Sequence, residues 1–148
     1  EPRRIVYFRG GLYVIIYIRR FEKFRLLAIQ RIKHFEVLEE VHPDEPRFDP
    51  ALFWKNKFGL FSADSCHVKI EFSTSARMHI EGRHWHPSQS FSEGKKGSLI
   101  LEMDVGLSPE LTSWIFSWNE YAKVLEPPEL IEKISKKIDK LRKLYPTT

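Results

Sequence analysis

With one cysteine among 148 residues, Cys66 has no partner for an internal disulfide, which points to a reducing compartment. Nothing near it resembles a nucleophile motif, so it reads as an inert thiol in or near the core. No run of 18 apolar residues occurs. The longest, Leu12 to Ile18, has the length of a strand, so no membrane span is expected. The chain opens on Glu1-Pro2-Arg3-Arg4, with no apolar segment ahead of a small-residue cleavage site, so no secretory signal is read and a cytoplasmic location is expected. Glycine is scarce, and no Gly-rich loop is present to cradle a phosphate. Ser88 stands near His86 but lacks nucleophile-elbow glycines, which argues against hydrolysis. His84 and His86 would share one face of an extended strand, as a pair of metal ligands could. No Cys or acidic partner has matching spacing, and His67 and His79 lie elsewhere, so hydrogen bonding at a turn or interface is the plainer role. The expectation is a protein without catalysis, cofactor or metal.

What is present is aromatic and unevenly charged. Aromatic residues make up 14% and hydrophobic residues 42% of the chain, ample for a packed core. Residues 1 to 35 carry nine Lys and Arg against two Glu, whereas residues 36 to 50 carry six acidic residues against one Arg. A basic start followed by an acidic stretch suggests an anionic guest for the first part; a solvated basic face is the alternative.

The stretch Gly10 to Ile32 organises the rest. Leu12 to Arg19 and Phe24 to Ile32 are rich in β-branched and aromatic residues and read as two strands around a charged turn. With Arg19 opposite Arg25, Tyr17 would meet Leu27, Ile15 would meet Ile29 and Tyr13 would meet Arg31. Side chains alternate between faces, so Tyr13, Tyr17, Arg19, Arg25 and Arg31 would form one face, and Leu12, Val14, Ile16, Ile18, Leu26 and Ala28 an apolar core face. Rings interleaved with guanidinium forks suit a nucleotide or a short single-stranded nucleic acid, because Arg grips phosphate bidentately and bases stack on aromatic rings. The alternative packs Tyr13 beneath the sheet and pairs the Arg residues with Glu36, Glu39 or Glu40.

This stretch resembles the WYL domain of bacterial transcriptional regulators. Tyr7-Phe8-Arg9-Gly10-Gly11 matches the family's Tyr-x-x-Gly-Gly lead-in, and Leu12-Tyr13-Val14 stands at its Trp-Tyr-Leu triplet. Arg25 to Ile32 follows a second signature, roughly Arg-x-Phe-Arg-Leu-Asp-Arg-Ile, keeping the first Arg, the last Arg and the closing Ile. Leu12, Ala28 and Gln30 depart from the pattern, and Ala28 removes one expected cation. The resemblance implies an Sm-like barrel whose first two strands, and an earlier helix-turn-helix, would precede Pro2. The chain is therefore expected to be a fragment, with a barrel left incomplete or closed by a second chain. It also implies ligand sensing that alters DNA binding by the missing helix-turn-helix.

Around this hairpin, Ile5 to Phe8 reads as a short strand, Gly10-Gly11 as a tight turn, and Ile32 to Val41 as a fourth strand. His42 to Pro50 holds three prolines and reads as a linker. Asp49-Pro50 looks like a helix N-cap with Pro at the first position, opening a helix to Lys57 that Gly59 stops. The expected division is residues 1–42, a linker at 43–65, and residues 66–148.

The last part predicts strands at Val68 to Phe72, Arg83 to Phe91, Ser98 to Val105 and Tyr121 to Leu125. Helices are predicted from Ser73 to Glu81 and after Ser108-Pro109, with Leu111, Trp114, Ile115 and Trp118 in one stripe. This β-α-β-β-α-β order is the ferredoxin-like pattern. A final helix follows Pro127-Pro128 with a seam of Ile131, Ile134, Ile138, Leu141 and Tyr145, and ends at Pro146. Trp85-His86-Pro87-Ser88-Gln89, Gly97-Ser98-Leu99 and Val124 to Pro127 resemble the WCX extension that follows WYL domains. The whole reads as an α+β sensory and dimerisation region of a transcriptional regulator, with homodimer, nucleotide or single-stranded nucleic acid, and DNA through the absent domain as partners. A purely structural self-association module is the alternative.

Overall fold

The computed structural model describes residues 1–39, 46–60 and 64–145. It divides into two units, residues 1–54 and 55–148.

The first unit is a meander of three antiparallel strands, β1 (Pro2–Phe8), β2 (Gly11–Ile18) and β3 (Lys23–Ala28), in the order β1-β2-β3. Arg9 and Gly10 both take positive φ in the first turn, a conformation glycine reaches without penalty. A side chain at Gly11 would stand 3.0 Å from Cε2 of Tyr13, so the second glycine leaves room for that ring. Asp49 Oδ1 accepts from the Ala51 N–H at 2.8 Å, capping the short helix α1 (Pro50–Trp54) as its sequence predicts. That helix ends before Lys57. Gly59 plays another part: with φ +97°, a Cβ there would meet Glu110 at 2.9 Å.

Two sequence readings of this unit are corrected. Residues 32–39 form no strand; Ile29–Arg31 turns as a 3-10 helix instead, and the residues beyond leave the sheet exposed. The rest of that expected strand (Glu40 and Val41) and His42 to Glu45 of the linker lie outside the described residues. The second correction is the hairpin register. Tyr17 pairs with Phe24, Ile16 with Arg25, Ile15 with Leu26 and Tyr13 with Ala28, three residues away from the expected alignment. A 3-10 turn at Arg19–Phe21, followed by Glu22 in the left-handed region, closes the loop between Ile18 and Lys23. An odd slip sends one strand's side chains to the opposite face.

In the second unit the chain runs β4 (Ser65–Phe72), α2 (Thr74–Ile80), β5 (Ser90–Glu93), β6 (Leu99–Gly106), α3 (Pro109–Phe116), β7 (Ala122–Glu126) and α4 (Pro128–Leu144). The strands form one antiparallel sheet in the order β5-β6-β4-β7. Val68, Ile70 and Phe72 of β4 pair with Met103, Leu101 and Leu99 of β6, so all six side chains share a face, and all are buried. Ala76 and Ile80 of α2 and Leu111, Trp114 and Ile115 of α3 belong to the same apolar cluster. The other face carries polar cross-strand pairs: Lys69 meets Glu102 at 2.8 Å, and His67 Nδ1 lies 3.0 Å from Asp104 Oδ1. Ser108 caps α3 by accepting the Leu111 N–H at 3.1 Å, and its hydroxyl donates to the Phe58 carbonyl. Pro146, the expected end of α4, lies outside the described residues.

The predicted strand from Arg83 to Phe91 is shorter. Only Ser90–Glu93 is extended and paired, and 83–89 is a loop folded on its own side chains.

Candidate anion-binding surface

Because of the observed register, the five residues read as one surface are divided. Tyr13 and Tyr17 share their face with Ile15, Val6, Phe24, Leu26 and Ala28. This face is covered: the Tyr17 and Phe24 rings pack tilted at 5.1 Å, and Phe24 meets Phe48 at 5.1 Å and Phe48 meets Phe53 at 5.5 Å edge-to-face. The Arg4 guanidinium lies 5.9 Å from the Phe48 ring centre, which adds a cation–π contact to the cover. Tyr17 therefore belongs to a half-closed aromatic layer, and Tyr13 lies on the same face of the sheet.

Arg25 projects from the opposite face, with Lys23, Leu27, Ile16, Val14, Leu12, Ile5 and Tyr7. The sequence assigned that face to the core, yet its outer strands are open: Ile5 is 66% and Tyr7 72% exposed. Arg19 sits in the 3-10 turn, 3.4 Å from the Glu1 carboxylate. Arg31 closes the second 3-10 turn and is exposed. The β2–β3 hairpin end instead carries Arg20, Phe21 and Lys23, with Arg25 two residues further along β3, all exposed. The Arg20 guanidinium lies 5.7 Å from the Phe21 ring. Sequence reading treated Arg20 to Lys23 as a mere interruption; two adjacent cations beside an aromatic residue were the available signal.

The histidine motif takes the plainer role. Ser88 N–H donates to His86 Nδ1 at 3.2 Å, its hydroxyl lies 2.7 Å from the same nitrogen, and Asp104 N–H donates to Ser88 Oγ at 2.9 Å. The accepted N–H makes Nδ1 the unprotonated nitrogen. Gln89 Oε1 accepts from His86 N–H at 3.0 Å while its amide donates to the Arg83 carbonyl at 2.8 Å. Trp85 Nε1–H donates to the Ile80 carbonyl at 3.1 Å. The five-residue string thus fastens its own loop to β6 and α2. Burial pushes the His86 pKa below its ordinary value. His84 and His86 do not share a strand face, and among the described residues no three His, Cys, Asp or Glu gather as metal ligands. Cys66 donates to the Val105 carbonyl, and burial, then Glu129 and Asp104, raise its pKa, leaving little thiolate at neutral pH.

Residues 64–142 match the WCX domain family. This is more than half of the chain, and the chain belongs to that family. No curated protein matches it. Among solved structures it is similar to proteasome accessory factor B/C (PafBC) of Arthrobacter aurescens, with 17% identity and a TM-score of 0.47 over 99% of this chain. The chain spans 22% of that protein's length. Among the described residues, no helix is long and apolar enough to cross a membrane.

Proposed function

We propose that this chain is the ligand-sensing and self-associating region of a WYL-type transcriptional regulator, without catalytic activity of its own. The WCX match carries this reading. It is supported by the Tyr-x-x-Gly-Gly and Arg-rich signatures that precede the matched region and by the antiparallel meander they form. In this reading the meander is the last part of an Sm-like barrel. The β5-β6-β4-β7 sheet, with α2 and α3 contributing to its core, is a ferredoxin-like domain.

The ligand is a nucleotide or a short single-stranded nucleic acid, and its contacts are revised from those of the sequence. Arg25, with Arg20 and Lys23, grips phosphate, and Phe21 offers a ring for a base; exposed cations on a hairpin end keep their forks free for an anion. Arg31 contributes charge from the second turn. Arg19, beside Glu1, is expected to add less. Tyr17 packs against Phe24, which meets Phe48, and Tyr13 lies on the same face behind that surface. DNA and a missing helix-turn-helix enter only through the whole regulator.

Fluorescence anisotropy with a labelled short single-stranded DNA tests this. Arg25→Ala is expected to weaken binding severalfold at low salt and to lower the salt slope by about one. Equal affinities for wild type, Arg25→Ala and Arg31→Ala would leave a self-association module without a ligand as the better description.

A further inference from the structure

Residues 55–60 open the second unit, ahead of the region 64–142 that matches the WCX family. No helix or strand includes them, yet they are fastened along their length. The Asn56 carbonyl accepts the Gly106 N–H at 3.0 Å, at the end of β6. The Phe58 carbonyl accepts the Ser108 hydroxyl at 3.1 Å, and the Phe58 ring is buried with its centre 5.1 Å from that of Trp114. The Leu60 N–H donates to Glu110 Oε1 at 3.1 Å. Between them Gly59, at φ +97°, brings the backbone so close that a Cβ would stand 2.9 Å from the Glu110 Cβ. A residue with a side chain would neither fit there nor take that angle without strain.

The groups that hold this strap, Gly106, Ser108 and Glu110, stand together where β6 passes into α3. Ser108 serves both sides. Its Oγ accepts the Leu111 N–H at 3.1 Å and donates to the Phe58 carbonyl, so one hydroxyl caps the helix and holds the strap. Glu110 belongs to the first turn of α3, where a carboxylate is favoured by the helix dipole. Lifting the strap therefore strips partners from the buried start of α3, and a buried polar group without a partner is costly unless it reaches water. We infer that residues 55–60 and the first turn of α3 form one latch, seated or released together, so that a pull on the chain arriving from the first unit loosens the start of α3 instead of sliding past it. The strap bonds to β6 at Gly106, the end of that strand, so the sheet beyond it is expected to stay closed. The inference concerns the second unit alone and stands whether or not the first unit binds an anion.

Native-state hydrogen exchange of the whole chain in low urea tests it. The amides of Leu60 and Gly106 report the strap and that of Leu111 the helix cap, whereas Ile70 and Leu101 report the sheet. In wild type the first three are expected to share one rate of opening and one urea dependence, about tenfold or more faster than Ile70 and Leu101. Gly59→Ala is expected to speed all three by about tenfold or more, with Ile70 and Leu101 unchanged and trypsin cleavage after Lys55 and Lys57 rising in step. Ser108→Ala, made on the helix side, is expected to speed Leu60 and Gly106 as well as Leu111. If Leu60 and Gly106 open with a shallower urea dependence while Leu111 keeps the rate of the sheet, the strap frays alone and the latch is overturned. It is equally overturned if all three exchange only together with Ile70 and Leu101, because the strap is then an inseparable part of the core. Should Gly59→Ala fail to fold, the wild-type rates and Ser108→Ala decide between these outcomes.

Discussion

The two units bury their apolar residues very differently. The second has a sheet face and two helices contributing to one core, and Val68, Ile70, Phe72, Leu101 and Val105 are fully buried there. In the first, Val14 and Ile15 alone are buried among the described hydrophobic residues, although its strands are at least as apolar in sequence. A sheet needs a partner layer. The first unit covers one face with Phe48 and α1 and leaves the other largely bare. The second unit therefore closes a core of its own, whereas one face of the meander has little packed against it among the described residues.

The sharpest way to break this comparison is to make the same substitution in both units. Leu101→Ala removes a side chain with no exposure from the second core and is expected to cost about 2–5 kcal/mol in chemical denaturation. Leu12→Ala, on the open face of the first sheet, is expected to change stability by no more than about 0.5 kcal/mol; equal costs would mean that the open face is covered in solution. Between these falls Ser108→Ala, which removes the α3 cap and the hydrogen bond to Phe58, at about 0.5–2 kcal/mol. A smaller signal is expected from pH. His86 is held neutral by burial, its folded pKa lying below the ordinary 6.5, so the unfolded chain takes up its proton first on acidification. Its contribution is complete above pH 6.5 and is lost as pH falls through the folded value. Differential scanning calorimetry should show the unfolding of the second unit moving to lower temperature in that window, and a His86→Gln variant should flatten the fall. Smallest is the surface pair: Arg77 hydrogen-bonds Glu81 and Glu93 and lowers both carboxyl pKa values below the ordinary 4.5. Their contribution holds above pH 4.5 and fades below it, so Arg77→Ala should lower the denaturation midpoint slightly above pH 4.5 and converge with wild type in acid.

The second unit was the more legible in sequence for a physical reason. Leu99, Leu101 and Met103 alternate against Ile100, Glu102 and Asp104, so period and polarity agree on which side is inside. Ser108-Pro109 and the Leu111, Trp114, Ile115 stripe fixed the start and face of α3 by local chemistry alone. The 83–89 loop misled because Arg83-His84-Trp85-His86 mimics strand alternation. Its shape is set by Gln89 and Ser88 reaching back to backbone groups, which period does not report. In the first unit, Tyr13 and Arg25 were each placed correctly in strands, and their separation onto opposite faces was not visible. The candidate site was legible as a supply of cations and rings, not as a surface.

The sequence by itself determined most of the elements, the basic start, the Asp49 and Ser108 caps and the WCX-like second half, because propensity, capping and alternation act over a few residues. Only the tertiary structure decided which side of the first sheet is covered and on which face or turn each cation lies. That choice depends on how many residues the Arg19–Glu22 loop consumes, and a slip of three at one turn reverses every face that follows it.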